Sequence, residues 1–270
     1  MRNQGHKQQY PIGVFDSGIG GLTVVREIRK ILPKETIVYF GDSARVPYGT
    51  KSKETILRFA EEDIRFLQNF DVKVIVSACF SVSSNAIEEL KEEFPIPIIE
   101  MIDPGVNALS GKSCEKVGVI GTNATIESKA FSKRLKDKFG NIDIYSAACP
   151  LFVSLAEEGW TEGEIPELVA ERYLSPLIAE NIDSLILGCT HYPLLDSVIR
   201  NIVGDEVEII EPGKEAAKLL ANFLDDNNLR KDGEGALDIF LSDIPRNFQQ
   251  TVVNFLGEKP EKIQLVNLKE

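Results

Sequence analysis

The chain has 270 residues, of which 43% are hydrophobic and 27% are charged, and its formal net charge at pH 7 is −12. This length favours two domains over one, and the hydrophobic content is high enough to exclude wholesale disorder. The acidic balance disfavours a nucleic-acid-binding protein, because such proteins need a basic surface to neutralise phosphates.

Membrane and secreted classes are disfavoured as well. No stretch approaches eighteen consecutive apolar residues, so we expect no membrane-spanning helix. Residues 1–10 are polar and lack the apolar region that directs secretion. We therefore expect a cytoplasmic protein that binds neither membrane nor nucleic acid and keeps its cysteines as free thiols.

Short apolar runs alternate with longer amphipathic patterns along the chain, and continuous runs such as Val74-Ile75-Val76 are typical of strands covered on both faces. The predicted strands are 11–15, 36–40, 72–76, 116–120, 142–145, 184–187, 207–210, 237–241 and 263–266. The predicted helices are 22–32, 53–70, 85–94, 128–139, 165–179, 195–202, 215–224 and 247–256, with a hairpin-like polar linker at 225–235. This alternation predicts an α/β protein with doubly wound parallel sheets.

Four cysteines stand at positions 79, 114, 149 and 189. They form no CxxC pair, and His6 and His191 are the only histidines, so we expect no metal site. Two cysteines end predicted strands in equivalent positions of two similar halves, as Val-Ser-Ala-Cys79 and Ile-Leu-Gly-Cys189. Ligands of open parallel sheets bind at the carboxyl ends of the strands. Two such ends facing each other across a cleft would present two thiols to one ligand.

The residues after Cys189 favour a chemical role for its thiol. Thr190 and His191 follow directly, and a histidine can hold a thiolate by electrostatics and relay its proton. Cys114 and Cys149 have no such neighbours in the sequence, and we expect both to serve packing.

Two further segments follow predicted strands. Asp16-Ser17-Gly18-Ile19-Gly20-Gly21 opens a helix, so its backbone amides could receive an anion. It is not a dinucleotide fingerprint, because Thr23 stands where the third glycine is needed. Pro47-Tyr48-Gly49 lies in a loop after the second strand, where binding groups are common.

Taken together in this order and spacing, these segments resemble the glutamate racemase family. The resemblance covers nearly the whole chain from Pro11 onward, and its most specific element is Gly188-Cys189-Thr190-His191-Tyr192-Pro193. The other matching segments are Asp16-Ser17-Gly18, Gly41-Asp42, Pro47-Tyr48-Gly49, Ala78-Cys79, Gly121-Thr122, Ala148-Cys149-Pro150 and Glu157-Glu158-Gly159.

The resemblance implies two similar doubly wound parallel-sheet domains with a pseudo-twofold relation and an active site in the cleft between them. Residues 1–103 and 212–270 would form the first domain, and 104–211 the second. It also implies a racemase that needs neither pyridoxal phosphate nor metal and interconverts L- and D-glutamate for peptidoglycan synthesis. The sequence leaves open whether the chain forms a homodimer.

The resemblance also implies residue roles. Cys79 and Cys189 would act on opposite faces of Cα, assisted by Asp16, Glu157 and His191. Each thiol would then serve as base in one direction and as acid in the other, which is what a reversible inversion requires. The substrate would be held by Asp16, Ser17, Pro47, Tyr48, Gly49, Phe80, Ser81, Thr122, Thr190 and His191.

One position departs from the family pattern: Phe80-Ser81 stands where the family has Asn-Thr. If the family's asparagine donates a hydrogen bond to glutamate, Phe80→Asn should lower the Michaelis constant. If neighbouring residues have instead repacked around the ring, the same change should leave a cavity. Two alternatives stay open, namely a racemase for aspartate or another small acidic amino acid, and a weakly active binding protein.

Overall fold

The computed structural model of the protein describes residues 7–112, 114–244 and 248–268. Its strands form two parallel sheets with helices between successive strands, which confirms the predicted α/β class. The strands are β1 (Ile12–Asp16), β2 (Ile37–Gly41), β3 (Val74–Ser77), β4 (Ile98–Ile99), β5 (Lys116–Gly121), β6 (Asp143–Ala148), β7 (Ser184–Gly188), β8 (Glu208–Ile210), β9 (Leu237–Leu241) and β10 (Ile263–Leu265).

Twelve α-helices lie within those described ranges, together with two short 3₁₀ helices at Tyr48–Thr50 and Tyr192–Leu195. None of the twelve is both long and apolar enough to cross a membrane. The α-helices are α1 (Leu22–Ile31), α2 (Lys53–Gln68), α3 (Phe80–Asn85), α4 (Ile87–Glu93), α5 (Ile102–Asn107), α6 (Asn123–Glu127), α7 (Ala130–Phe139), α8 (Leu151–Glu157), α9 (Glu164–Ile178), α10 (Asp196–Val203), α11 (Pro212–Asp226) and α12 (Phe248–Leu256).

The larger sheet has six strands in the order β10-β9-β2-β1-β3-β4. Its central strand β1 pairs in parallel with β2 and β3, so that Asp16 lies opposite Gly41 and Phe15 lies opposite Ser77. Every residue of these three strands is buried, as expected for strands that helices cover on both faces. The carboxyl ends of β1, β2 and β3 therefore form one continuous edge.

The smaller sheet has four strands in the order β6-β5-β7-β8. Its β5 pairs in parallel with both neighbours, and Gly121 at its end lies opposite Ala148 and Gly188. A Cβ atom on Gly188 would come within 2.6 Å of the Ile120 carbonyl oxygen, so only glycine fits directly before Cys189. This close approach between β5 and β7 positions the Cys189 thiol directly after the end of β7.

Four short helices were not predicted: α3, α5, α6 and α8. Each has only five to seven residues, which is too short for a helical period to stand out in the sequence. The helix predicted at 85–94 is divided at Ala86, where α3 ends and α4 begins. The polar linker predicted at 225–235 begins at Asn227, because α11 continues through Asp226, and it contains no strand and is therefore not a hairpin. His6 and the first residue of the helix predicted at 247–256 lie outside the described residues.

A single apolar cluster joins the two sheets. It contains Val14 and Val76 from the larger sheet and Val119 and Ile186 from the smaller one, with helices α1, α5 and α11 packed among them. Burial of these side chains at roughly 25 cal/mol per Å² of apolar surface favours one arrangement of the sheets. That arrangement sets the distance between the strand ends of one sheet and the strand ends of the other.

Candidate active site

The central strands of both sheets end at one cleft. Asp16 is the last residue of β1, Cys79 follows β3 by two residues, and Cys189 directly follows β7. Every residue that the sequence predicted to hold the substrate lines this cleft, whereas Glu157 reaches it only through His191. The lining residues are Asp16, Ser17, Val46, Pro47, Tyr48, Gly49, Cys79, Phe80, Ser81, Thr122, Val153, Cys189, Thr190 and His191.

Cys79 is a buried thiol at the start of α3, with only 4% of its surface exposed. Burial and the neighbouring Asp16 carboxylate raise the pKa of Cys79 to about 12, against hydrogen bonds from the Val82 backbone and from Ser17. The ordinary thiol pKa of about 8.5 is therefore far exceeded. Cys79 therefore holds its proton at neutral pH.

Cys189 has the opposite electrostatic surroundings. Its sulfur lies 3.7 Å from Nδ1 of His191, and Nε2 of the same ring lies 3.1 Å from Oε1 of Glu157. Burial alone would lower the pKa of His191, but hydrogen bonds with Cys189 and Glu157 outweigh it and raise that pKa to about 10. The imidazole is therefore protonated at neutral pH and stands beside the Cys189 sulfur as a hydrogen-bond donor.

Asp16 ends β1 and contacts Thr190, which follows Cys189 at the end of the other sheet. Its Oδ2 accepts a hydrogen bond from the Gly18 backbone N–H at 3.1 Å, and its Oδ1 lies 3.5 Å from Oγ1 of Thr190. Burial raises the pKa of Asp16, while protonated His191 and the Gly21 and Gly18 backbone amides act in the opposite direction. Asp16 thus couples the environment of Cys79 to that of the histidine beside Cys189.

The far side of the cleft is closed by contacts to Thr122. Its hydroxyl caps α6 by accepting a hydrogen bond from the Thr125 backbone and lies 3.1 Å from Oγ of Ser81. A Cβ atom on Gly49 would come within 2.5 Å of the Thr122 side chain. Only glycine at position 49 therefore lets the 47–49 loop lie this close to Thr122. The two halves of the chain therefore meet around the cleft rather than only at its base.

Known proteins with similar sequences identify the family of this chain. The sequence model of the Asp/Glu/hydantoin racemase family matches residues 12–220. The chain belongs to the Asp/Glu/hydantoin racemase family. It is 45% identical over 260 residues to the glutamate racemase of Geobacter metallireducens, with 95% of this chain and 96% of that protein covered.

Two more relatives extend the comparison. The glutamate racemase of Aquifex aeolicus is 45% identical over 251 residues, covering 93% of this chain and 95% of that protein. The crystal structure of the Francisella tularensis glutamate racemase in complex with D-glutamate superposes with a TM-score of 0.92 at 43% identity, covering 97% of this chain and 99% of that one. The fold of this family member therefore matches its relatives over nearly its full length.

Tyr48 of this family member lines the cleft, but its hydroxyl is bound elsewhere. The side chain is fully buried, and its hydroxyl lies 2.5 Å from Oδ2 of Asp42 and 3.1 Å from Oδ2 of Asp63. A substrate in the cleft can therefore meet the ring or the backbone of Tyr48, whereas the hydroxyl is already saturated by the two carboxyl groups.

Phe80, which departs from the family pattern, belongs to the core as well as to the cleft. Only 4% of its surface is exposed, and its ring stacks on that of Phe131 with 6.3 Å between centroids and 27° between planes. Phe131 comes from α7 in the second half of the chain, so the ring of Phe80 packs across the boundary between the halves. The neighbouring side chains have thus accommodated the aromatic ring.

The other two cysteines lie away from the cleft lining. Cys149 is fully buried in an apolar cluster, and its sulfur lies 3.6 Å from the Ala147 carbonyl oxygen. The sulfur of Cys114 lies 3.4 Å from Oγ of Ser184, at the amino-terminal end of β7. Within residues 7–112, 114–244 and 248–268, no three His, Cys, Asp or Glu side chains are grouped to hold a metal ion.

Two residues that position the cleft were not predicted from the sequence. Oγ1 of Thr23 donates to the Thr190 carbonyl oxygen at 2.9 Å, which ties α1 to the segment after β7. Gly20 lies so close to His191 that a Cβ atom there would come within 2.5 Å of the ring. Both residues lie just after β1. The available signal was the threonine that stands where a dinucleotide fingerprint has its third glycine.

Proposed function

We propose that this chain is a glutamate racemase that uses Cys79 and Cys189 as opposed acid and base and needs no cofactor. One observation supports the proposal most: two thiols at the carboxyl ends of β3 and β7 line one cleft, one beside a carboxylate and the other beside a protonated histidine. Inversion at Cα needs a base on one face and an acid on the other, and this pair supplies both.

The two thiols have unequal surroundings. Burial and the Asp16 carboxylate raise the pKa of Cys79 to about 12, so this thiol keeps its proton at neutral pH. The protonated imidazole of His191 lies beside the Cys189 sulfur and can exchange a proton with it. Each thiol acts as base for one enantiomer and as acid for the other, and the enzyme returns to its starting state through the reverse reaction or by proton exchange with solvent.

The intermediate needs stabilisation as well as proton transfer. Removing the Cα proton moves charge onto the substrate carboxylate, and preorganised donors in a water-poor site are the usual source of stabilisation. Hydroxyls of Ser17, Thr122 and Thr190 line the cleft and can serve that task when substrate is bound. The helix cap positions Thr122, and the hydrogen bond from Thr23 to the Thr190 carbonyl positions Thr190.

Glutamate is favoured over aspartate as the substrate. The similar proteins described above are glutamate racemases, and they match this chain over more than nine-tenths of its length. We further propose that the D-glutamate product supplies peptidoglycan synthesis, as the family resemblance implies.

We also propose the domain boundaries 1–103 with 212–270, and 104–211. The described strands of the six-stranded sheet fall in the first set of residues, and the four strands of the other sheet fall in the second. The crossovers would then lie near α5 and the amino terminus of α11.

The proposal is tested by circular dichroism on purified protein dialysed against a chelator and free of pyridoxal absorbance. L-Glutamate should lose its signal with time, and L-aspartate should do so at least tenfold more slowly. Racemisation of aspartate but not glutamate would favour the related-racemase alternative. Binding of glutamate without turnover would favour the weakly active binding protein, and activity restored only by added metal or pyridoxal phosphate would contradict cofactor independence.

A further inference from the structure

A buried polar cluster lies behind the 47–49 loop. It consists of Asp42, Arg45, Tyr48, Glu62 and Asp63. The carboxyl groups of Asp42 and Asp63 are fully buried, and the Tyr48 hydroxyl lies between them. Arg45 contacts all three carboxyl groups, with Nε 2.5 Å from Asp42 and one terminal nitrogen 3.4 Å from Asp63. These contacts join the end of β2 to helix α2.

The Tyr48 hydroxyl is held by both acids. It lies 2.5 Å from Oδ2 of Asp42 and 3.1 Å from Oδ2 of Asp63, and both carboxyl oxygens can accept its proton. Burial and the nearby Asp42 carboxylate raise the pKa of Asp63 well above its ordinary value. The hydroxyl is therefore bound by one acid that follows β2 and by another on helix α2.

The Asp42 carboxyl group accepts three side-chain hydrogen bonds. Its Oδ1 accepts a hydrogen bond from Ser242 at 2.8 Å, and its Oδ2 accepts from Arg45 and Tyr48. Its backbone N–H also donates to the carbonyl oxygen of Asp16 at 3.0 Å. The cluster is therefore attached directly to the strand end that carries Asp16.

Tyr48 transmits this anchoring to the cleft. It stands between Pro47 and Gly49, both of which line the cleft, and Gly49 packs directly on Thr122 of the other half. The Tyr48 ring also packs against the Phe59 ring, with 5.3 Å between centroids. The Arg45 guanidinium lies 4.1 Å above the centre of the Phe59 ring. Helix α2 therefore holds the Tyr48 side chain, while the backbone of the 47–49 loop lies at the cleft.

We propose that Tyr48, held between Asp42 and Asp63, is a positioning residue that fixes the 47–49 loop in its substrate-binding place against Thr122. The proposal rests on the proposed glutamate racemase function, and it assigns the hydroxyl to loop placement rather than to substrate contact. Asp42 is the nearer acceptor, at 2.5 Å against 3.1 Å for Asp63, so the two acids should respond differently to conversion into amides.

The test compares four variants by glutamate kinetics, by glutamate affinity from calorimetry, and by melting temperature. Tyr48→Phe removes the hydroxyl and should raise KM and Kd for glutamate about tenfold, with a smaller change in kcat. Asp42→Asn replaces one of two oxygens that accept from Arg45, Tyr48 and Ser242 by an NH₂ group, and it should act similarly. Asp63→Asn keeps a hydrogen-bonding group at the longer contact, so its KM should stay within about twofold of wild type, whereas Asp63→Leu removes that group and should raise KM as Tyr48→Phe does. A change of about tenfold is what the loss of one hydrogen bond produces.

Glu35→Gln is the matched control. Glu35 forms a buried ion pair with Lys73 at 2.6 Å near the opposite, amino-terminal end of the same sheet. This variant should lower the melting temperature while leaving KM unchanged, which separates loss of stability from loss of loop placement.

Each outcome bears on the proposal. A folded Tyr48→Phe variant with wild-type KM and Kd overturns it, and so does an Asp63→Asn variant as impaired as Asp63→Leu. If Tyr48→Phe does not fold, the Asp63 pair decides the question. A wild type that neither racemises nor binds glutamate contradicts the proposed function, whereas an active wild type with unaffected variants contradicts only the positioning role.

Discussion

The sulfur of Cys189 lies 3.7 Å from Nδ1 of His191, whose other nitrogen lies 3.1 Å from Glu157. The arrangement follows the logic of a nucleophile, a histidine and an orienting carboxylate, in which the carboxylate fixes the ring and stabilises its protonated form. Cys79 has no such histidine and has Asp16 instead. The two thiols therefore stand in different electrostatic surroundings.

Glu157→Gln should narrow the pH range of activity. The substitution removes a carboxylate that raises the pKa of His191, so that pKa should fall from about 10 towards its ordinary value, and burial would lower it further. The imidazolium is then lost at lower pH, and the alkaline limb of kcat/KM should move to lower pH for the enantiomer whose proton Cys189 removes. Glu158→Gln, at the exposed neighbouring position, is the control and should leave the profile unchanged. A profile that is identical in both variants would contradict the role of Glu157.

Replacing either cleft thiol by alanine should abolish racemisation. A positioned acid or base contributes about 10²–10⁴-fold, and with one thiol missing the proton cannot be exchanged between faces. Cys149→Ala is the matched control, because Cys149 also follows a strand of the smaller sheet and is fully buried, yet does not line the cleft. Initial rates by circular dichroism should be near zero for Cys79→Ala and Cys189→Ala and largely retained for Cys149→Ala. Full activity in either cleft variant would refute the two-base assignment.

Gly20→Ala should impair activity by displacing His191. A Cβ atom at this position would come within 2.5 Å of Cε1 of the imidazole, and the ring cannot retreat freely because it packs edge-on against Phe255. Overpacking of this kind costs about 1–3 kcal/mol. Gly213→Ala is the control, since its Cβ would meet Val24 at an ordinary 3.4 Å. Melting temperatures and kcat/KM of the two variants should separate clearly, and equal values would show that the glycine at 20 is not required.

Phe80→Asn should destabilise the protein without improving glutamate binding. The ring is buried and stacked on Phe131, and truncating a buried phenylalanine costs about 3–5 kcal/mol. The amide would also be buried partly without partners. Phe80→Leu keeps more of the apolar volume and should lose less stability. A lower KM for glutamate in Phe80→Asn, with an unchanged melting temperature, would instead show that the asparagine of the family supplies a missing donor.

Much of the fold could be predicted from the sequence because its signals are local. Runs such as Val74-Ile75-Val76 are long enough to identify buried parallel strands, and both cleft cysteines were placed at strand ends from those runs alone. The short helices α3 and α8 could not be predicted in this way, although α3 begins directly after Cys79 and α8 ends at Glu157.

What the sequence could not supply is contact between residues far apart in the chain. The pairing of Tyr48 with Asp63 and the stacking of Phe80 on Phe131 depend on how α2 and α7 pack, which no local pattern contains. For the same reason the sequence leaves two outcomes open at position 80, whereas the packed ring favours the one with a cavity.

The central claim is that two thiols act on opposite faces of Cα, and proton origin tests it most directly. The enzyme is incubated with unlabelled L-glutamate in deuterated water, and both enantiomers are separated and analysed by mass spectrometry at low conversion. In a two-base reaction the proton delivered comes from a second group that has exchanged with solvent. The account predicts that newly formed D-glutamate carries one deuterium at Cα while the remaining L-glutamate carries almost none. D-Glutamate that retains the substrate's own hydrogen would contradict it, because a single base would then have moved the proton from one face to the other.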